Sequence, residues 1–274
     1  MDNIVFLIKS HAPHLDYTKQ LVETTAKHNK DNIPVYLSIP KSQENVFKNN
    51  IDTSLCNIVF DEDIIKGDIS QNWFTQQLVK MKFSETGLCN NYLWIDGDSY
   101  FIRDFYVSDF MFDEETPYTT IHENKDLFQW LSSKGDLKGQ GGHTHNYDSI
   151  FKSYSEDRDK VKSLFGRPGK YYDWTCPNLW SVKVFEHMKE HYLKPNNLSF
   201  EQLLSYVPGE LIWYGEYLLA TQAIRLVPCE SWFKPFHFLQ QMEDYRNEGH
   251  TEETIAKNFL GIVMPSKETN QLRF

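Results

Sequence analysis

The chain has 274 residues, of which 40% are hydrophobic and 24% are charged, and its formal net charge is −10 at pH 7. These proportions exclude a disordered, collagen-like or coiled-coil chain and indicate a globular protein. The acidic balance excludes a broad surface for nucleic acid or anionic membrane, because both need clustered lysines and arginines. Aromatic residues are in excess at 15%, and such residues serve either in a core or as rings that stack on ligands.

The first hundred residues alternate short apolar runs with helical patterns. Runs of this length that are rich in β-branched residues are typical of strands buried on both faces. The alternation of strand and helix predicts an α/β fold with a mostly parallel sheet. The predicted strands cover 4–8, 34–40, 58–60 and 92–95, and the predicted helices cover about 15–29 and 73–81, the second of them capped by Ser70.

The second half is less regular. A glycine-rich polar stretch at 132–146 predicts a mobile loop, and 166–170 is a second turn-rich stretch. No internal repeat and no separable linker stand out, which favours a single large domain. Helical patterns follow at about 182–191, 200–206, 216–224 and 251–259.

The cysteines and the N-terminal sequence indicate the cellular compartment in which the protein is expected. Four widely spaced cysteines without a CxxC pair suggest neither a zinc ribbon nor a disulfide framework. The apolar run at 4–8 is too short for a signal peptide or a membrane span. We therefore expect a cytoplasmic protein without a transmembrane segment. Peripheral membrane association and the oligomeric state stay open.

A pair of carboxylates follows the fourth predicted strand, in the motif Asp96-Gly97-Asp98. Ligands of open α/β sheets bind at this end of the strands. Two adjacent carboxylates repel each other unless a cation lies between them, and their oxygens suit Mg²⁺ or Mn²⁺. Such a cation would let an acidic protein bind a diphosphate. Asp-Gly-Asp is also an ordinary turn sequence, but its place after a buried strand favours the metal site.

The order of these features resembles a known family. A βαβ half, a helix containing WFTQQLVK (73–80) and the strand end YLWIDGD (92–98) are similar to the GT-A-fold nucleotide-sugar glycosyltransferases, especially bacterial and viral members that carry a DxD motif. The resemblance covers about 4–110 well and 170–240 loosely. It implies a Rossmann-type, mostly parallel sheet flanked by helices, with a donor-binding half at 1–110 and an acceptor-binding half at 111–274.

The resemblance also implies roles for individual residues in the donor half. Asp96 and Asp98 would bind the divalent metal that holds the donor diphosphate. Ser10 and His11, at the end of the first strand, would contact the nucleotide. Gln76 and Lys80 match the helix face that the family turns towards the donor; the alternative is a solvated helix face.

Three positions in the second half also match the family pattern. His237 is a candidate third metal ligand, with Lys234 nearby for phosphate; the alternative for His237 is a core histidine. Glu216, interpreted as opening an apolar helix after a glycine, is a candidate catalytic base, although a glutamate in a first helical turn also stabilises the helix dipole.

Further residues offer alternatives or support. Asp173 is the competing catalytic carboxylate; it sits among aromatics that would stack on an acceptor sugar, and its alternative role is to bind sugar hydroxyls. His143 and His145 lie in the glycine-rich stretch, where a solvated loop or a lid is more plausible than a metal site. The aromatic clusters 171–174, 213–217 and 232–238 are candidates for a sugar-stacking wall.

The sequence thus predicts a metal-dependent transferase that moves a sugar from a nucleoside diphosphate, UDP in our expectation, to a hydroxyl of a glycan or glycolipid, in the synthesis of surface polysaccharide. One alternative is a nucleotidyltransferase that forms sugar nucleotides, but the stretch after the first strand, 9–14, lacks the glycine-rich basic loop expected there. Another is a non-catalytic glycan-binding module in which the two aspartates hold a structural cation.

Overall fold

Twelve strands are found in the computed structural model, which describes residues 2–66, 73–121, 124–138, 144–169 and 176–274. Most of the second-half strands are short, whereas β1 and β4 have eight residues each. The strands are β1 (Asp2–Lys9), β2 (Val35–Ile39), β3 (Asn57–Phe60), β4 (Cys89–Asp96), β5 (Ser99–Phe101), β6 (Thr119–Thr120), β7 (Leu137–Lys138), β8 (Thr144–His145), β9 (Asn178–Ser181), β10 (Pro228–Cys229), β11 (Phe233–Pro235) and β12 (Gly261–Val263).

Helices cover both faces of the main sheet and much of the second half. The helix at Val182–Met188 continues into a π-helical turn at Lys189–Leu193. The α-helices of the described residues are α1 (Leu15–His28), α2 (Glu44–Lys48), α3 (Asp61–Ile65), α4 (Trp73–Lys82), α5 (Lys125–Ser133), α6 (Tyr147–Leu164), α7 (Val182–Met188), α8 (Phe200–Tyr206), α9 (Glu210–Thr221), α10 (Leu239–Asn247) and α11 (Glu252–Ile255).

The main sheet has the strand order β3-β2-β1-β4-β9. The first four strands are mutually parallel, and β9 adds antiparallel to β4. Strand β1 shows why its sequence is apolar throughout: Ile4, Phe6 and Ile8 face one hydrophobic core, while Val5 and Leu7 face the other. Side chains alternate between the faces of a strand, so a strand covered on both sides needs an unbroken apolar run.

The predictions for the first half are confirmed. The four predicted strands correspond to β1–β4, and the two predicted helices to α1 and α4. The fold class is therefore the predicted one, an α/β domain with a mostly parallel sheet between helices. The proposed cap Ser70 lies outside the described residues.

The predictions for the second half are partly wrong. The stretch 132–146 is not simply a loop, because α5 reaches Ser133 and β7 pairs with β8 as a hairpin. Helix α6, the longest described helix, was not predicted. Its sequence is polar, and only two of its residues are buried, so the apolar periodicity that identifies an amphipathic helix is weak there.

A second, three-stranded sheet links the Asp-Gly-Asp turn to the C-terminal region. Strand β5 begins directly after Asp98 and pairs antiparallel with β12, which pairs in parallel with β11. The residues aligned across these strands are Ser99, Val263 and Pro235. This sheet places the segment after β11 on the same side of the molecule as the end of β4.

In the part of the chain that the structure describes, no helix combines the length and the apolar character that crossing a bilayer requires.

Candidate active site

The Asp-Gly-Asp turn packs on the end of β1. In the parallel register, Asp96 is the partner of Lys9, so the ends of β1 and β4 are adjacent. A Cβ atom added at Gly97 would lie 3.1 Å from Ser10 Oγ and 3.0 Å from Thr18 Oγ1. The close approach explains the glycine at this position and brings Ser10, which is hydrogen-bonded to Thr18, beneath the turn.

A buried lysine lies beside the first aspartate. Lys80 Nζ is 2.8 Å from Asp96 Oδ1 and 3.1 Å from Glu210 Oε1, and it lies 3.9 Å from the centre of the Trp94 ring. The side chains of Lys80 and Glu210 are only 3% and 5% exposed, whereas that of Asp96 is 37% exposed. We call Lys80, Asp96 and Glu210 the charge cluster. The solvated-face alternative for Lys80 is therefore wrong.

Lys80 attracts both carboxylates of the charge cluster. Burial by itself lowers the pKa of Lys80, but the carboxylates of Asp96 and Glu210 more than compensate and hold that pKa above its usual range. Burial raises the pKa of Glu210, and Lys80 opposes this increase. The buried ammonium group of Lys80 thus fixes the position of Asp96 on its buried side. The exposed part of Asp96 is open to a ligand.

Asp98 is held in a different way. The Ser266 hydroxyl donates to Asp98 Oδ2 at 2.5 Å, and the Met264 N–H donates to the Asp98 backbone carbonyl at 2.9 Å. The other carboxylate oxygen, Oδ1, is buried and has no hydrogen-bond partner in the described residues. Burial, with the charge of Asp96 as a second cause, raises the pKa of Asp98.

These oxygens suit a divalent cation. A buried carboxylate oxygen without a donor is costly, and a cation bound to it would relieve both that cost and the repulsion from Asp96. Hard carboxylate oxygens are ligands that Mg²⁺ and Mn²⁺ prefer. Within the described residues, however, no three groups of His, Cys, Asp or Glu lie together closely enough to form a complete ligand set, so a third ligand is not apparent there.

A cavity of about 390 Å³ opens beside the end of β1. Its lining includes the predicted residues His11 and Gln76, together with Trp73, a residue that is 53% exposed. We call it the β1 cavity. Burial, then the neighbouring His14 and Lys9, lowers the pKa of His11 to about 4, so His11 is a neutral hydrogen-bonding group at pH 7.

An ion pair forms part of the wall of the β1 cavity. Lys9 Nζ lies 3.0 Å from Asp61 Oδ2, and the Ser38 hydroxyl donates to Asp61 Oδ1 at 2.6 Å. Both charged side chains are nearly inaccessible to solvent. Burial lowers the pKa of Lys9 and raises that of Asp61, each against the attraction of its partner. The pair provides a donor and an acceptor of fixed geometry next to His11.

The two late candidates lie along a different cavity. Lys234 and His237 line a space of about 770 Å³, which we call the β11 cavity. Lys234 Nζ is 2.6 Å from Asp126 Oδ2. His237 is exposed, so the alternative of a core histidine is wrong. No described contact joins either residue to the Asp-Gly-Asp turn, and their metal and phosphate roles stay predictions.

The interpretation of Glu216 as the start of a helix is wrong. Helix α9 begins at Glu210, after Gly209, and Glu216 lies in its interior. Its side chain is fully buried and pairs with Arg167 through both carboxylate oxygens, with Arg167 Nη2 2.8 Å from Oε1. A base role would require this pair to open. The general-base role itself stays a prediction.

Other sequence candidates fall outside the described residues or in the core. Asp173 and His143 lie outside the described residues, as does the side chain of His145 and the aromatic cluster 171–174. The cluster 213–217 was expected to line a sugar site, but Trp213, Tyr214 and Tyr217 are at most 2% exposed. That part of the expected stacking wall is wrong.

Four residues of this region were missed by sequence reasoning. Glu210 carried a signal, because it follows Gly209 at the start of the apolar helix whose beginning was placed six residues too late. Asp61 was noted only as part of an acidic run, and Trp73 only as part of a family-like helix. Ser266 had no local signal, since only the tertiary fold brings it to Asp98.

Comparisons with known proteins bear on the fold. No protein-family model matches the sequence, and no curated protein matches it. Among solved structures, mouse xyloside xylosyltransferase 1 in its apo form is similar with a TM-score of 0.49 and 8% sequence identity, over 99% of this chain and 100% of the mouse chain.

Proposed function

We propose that this protein is a metal-dependent glycosyltransferase that moves a sugar from a nucleoside diphosphate-sugar, with UDP as the nucleotide, to a hydroxyl of a glycan or glycolipid. The observation that carries the proposal is the unpartnered, buried Oδ1 of Asp98 beside Asp96 at the carboxyl end of β4. Such a pair at a strand end, next to a cavity at the end of the adjacent β1, fits a cation and the nucleotide it helps to bind.

Asp96 and Asp98 would hold Mn²⁺ or Mg²⁺, with His237 as the proposed third ligand. When bound, the cation would neutralise the negative charge of the departing diphosphate. Lys80 fixes the position of Asp96, since its ammonium group bonds to Asp96 Oδ1. Ser266 keeps the Asp98 carboxylate oriented by donating to Oδ2, which leaves Oδ1 for the cation.

The β1 cavity would take the nucleoside. The exposed Trp73 ring offers a face on which a base can stack. Neutral His11, the Gln76 amide and the Lys9–Asp61 pair supply the donors and acceptors that orient it. Because Ser10 supports Gly97 from beneath the turn, we assign Ser10 to the shape of the donor site.

The catalytic base stays an open part of this proposal. If the reaction inverts the anomeric centre, a carboxylate must come within hydrogen-bond reach of the acceptor hydroxyl. Glu216 and Asp173 are the proposed candidates, and Glu216 would first have to release Arg167. A retaining reaction would leave Glu216 a purely structural residue.

Calorimetry of UDP binding tests the proposal. We expect the wild-type protein to bind UDP only when Mn²⁺ is present, and the Asp98→Asn variant to lose that binding, because an amide is a much poorer ligand for the cation than a carboxylate. Asp159→Asn, at an exposed position of α6, is the matched control and should bind as the wild type does.

The competing classes give different results. Metal-dependent UDP binding that is unchanged in Asp98→Asn would refute the assignment of the metal site. A glycan-binding module with a structural cation would be stabilised against heat by glycans and not by UDP with Mn²⁺. A nucleotidyltransferase would convert a sugar phosphate and UTP to a sugar nucleotide and pyrophosphate, which a pyrophosphate assay detects.

A further inference from the structure

The β11 cavity is separate in its lining from the nucleotide site. It is about 770 Å³ in volume, within the ~300–1,000 Å³ of pockets that hold small organic ligands. Its walls come from the start of α5, the strand β11 with the residues that follow it, and helix α10. None of the residues that line it also lines the β1 cavity.

The positive charge of Lys234 in this cavity is already balanced by an ion pair. Its side chain is 5% exposed, and its Nζ lies 2.6 Å from Asp126 Oδ2 and 4.8 Å from the centre of the Tyr245 ring. An ammonium group so paired and covered is a poor free cation for a diphosphate. Asp126, by contrast, is 70% exposed, so the pair presents a carboxylate of fixed position to the cavity mouth.

The described lining as a whole is balanced in formal charge. Lys125 and Lys234 are offset by Asp126 and Glu230. A site for a phosphate needs a local excess of positive charge, and this lining has none. It instead suits a ligand that is neutral and polar.

Other lining groups specify the kind of neutral ligand. Gln241 and Asn258 contribute side-chain amides, and Phe259 contributes an aromatic ring. The ring of Tyr245 is already stacked on His250. Amides and carboxylates donate to and accept from hydroxyl groups, while an aromatic ring covers the apolar face of a sugar ring. Together these groups match a polyhydroxylated ring compound.

The position of the cavity relates it to the Asp-Gly-Asp turn. Lys234 and Pro235 end β11, which is joined through β12 to β5, the strand that starts after Asp98. Pro235 and Ser99 are therefore separated by two strand spacings, or about 10 Å. A sugar in the β11 cavity lies within molecular reach of a sugar nucleotide held at the turn.

We propose that the β11 cavity binds the acceptor as a neutral pyranoside, with the Lys234–Asp126 pair and Asn258 bonding to its hydroxyls and an aromatic ring covering its face. This inference rests on the proposed transferase function and assigns Lys234 to the acceptor, in place of the phosphate role considered from the sequence. The acceptor site and the donor site are then built on opposite edges of one three-stranded sheet.

Saturation-transfer NMR on the full chain with UDP and Mn²⁺ tests the inference, with the methyl β-pyranosides of gluco, galacto, manno and xylo configuration as probes. We expect saturation to be transferred from the protein to at least one of these pyranosides. Lys234→Met and Asn258→Ala should each reduce that signal about tenfold, the effect of losing one hydrogen bond to the bound sugar. Lys257→Ala, at an exposed neighbouring position that does not line the cavity, should leave it unchanged. All three variants should bind UDP with Mn²⁺ as the wild type does.

Each contrary result has a distinct meaning. If UDP binds and no pyranoside receives saturation, the acceptor assignment is wrong while the proposed function stands. Weaker UDP binding by Lys234→Met would return Lys234 to a phosphate role and overturn the inference. Pyranoside binding without any UDP binding would instead refute the transferase function. Because Asn258 is exposed, its variant keeps the test decisive even if Lys234→Met fails to fold.

Discussion

Helix α9 carries two buried glutamates whose surroundings differ sharply. Glu216, in the helix interior, forms a two-bond pair with Arg167. Glu210, in the first turn, shares Lys80 with Asp96, which is itself partly exposed at the end of β4. Glu216 and Arg167 bond only to each other among the charged groups of the described residues. Glu210 is connected through Lys80 to Asp96, whose exposed part can bind a ligand.

This difference shows that burial of a carboxylate does not by itself indicate a function. What separates the two is the set of bonds that each makes. A closed pair contributes to the fold, since breaking it leaves a buried charge alone. The charge cluster also contributes to the fold, and in addition its Lys80 fixes the position of the partly exposed Asp96. We therefore expect changes around Glu216 to affect stability without affecting donor binding, and changes around Glu210 to affect stability and donor binding together.

The largest effect is expected for Lys80→Met. It removes the cation from two carboxylates and should lower the free energy of unfolding by about 4 kcal/mol, since a buried charge that loses its partner is strongly destabilising. Urea denaturation measures this loss, and calorimetry with UDP and Mn²⁺ should show weaker donor binding. Adding Glu210→Gln should restore part of the stability, because the second buried charge is then gone. A single variant as stable as the wild type would show that the cluster is not energetically coupled.

For Glu216→Gln we expect a loss of about 3 kcal/mol in the free energy of unfolding, because Arg167 stays buried without its counter-charge. UDP affinity of the folded protein should not change. Arg167→Met combined with Glu216→Gln is the control and should be more stable than Glu216→Gln alone. If Glu216→Gln instead keeps full stability and loses sugar transfer, Glu216 acts as a catalytic base and the proposed contrast within α9 fails.

Ser266→Ala tests the support of Asp98. Groups that orient a metal ligand typically contribute about tenfold to a hundredfold in metal affinity, so we expect Mn²⁺-dependent UDP binding to weaken by about tenfold. The fold should be nearly unaffected, because Ser266 is only partly buried. Ser54→Ala, in an exposed loop, is the matched control. Equal binding by both variants would mean that Asp98 needs no orientation by this hydroxyl.

The smallest effect concerns pH. Since the pKa of His11 is lowered from 6.5 to about 4 in the folded state, the unfolded chain takes up a proton first as the pH falls. The contribution of neutral His11 to stability is therefore complete above pH 6.5 and is lost between pH 6.5 and about 4. His11→Gln should flatten this part of the stability profile in urea denaturation. An identical slope in wild type and variant would assign the acid sensitivity to other groups.

The sequence predicts the first half of the chain well because its signals are local. Strand β1 and strand β4 are continuous apolar runs, and Asp96 and Asp98 follow directly on one of them. Their place in the fold needs no knowledge of distant residues. Lys80 was likewise identified from its helix face, although its burial and its pairing with Glu210 were not.

The second half resisted prediction for physical reasons. Ser266 and Glu210 reach the site only through contacts with residues 168 and 130 positions away. Tyr214 and Tyr217 look like ligand-stacking residues in sequence, yet they fill a core. An aromatic residue looks the same in the sequence whether it stacks on a ligand or fills a core, and only the packing in the structure distinguishes the two roles.

The antiparallel strand β9 has a consequence for how the molecule is made. Until residues 178–181 are synthesised, β4 has no neighbour on one side, and Lys80 has no Glu210. The first 110 residues thus emerge from the ribosome with an open, apolar sheet edge, a template for unwanted pairing between chains. A fragment that ends at residue 110 would keep this edge exposed, so we expect it to aggregate. The site becomes complete only as a late, long-range event in folding.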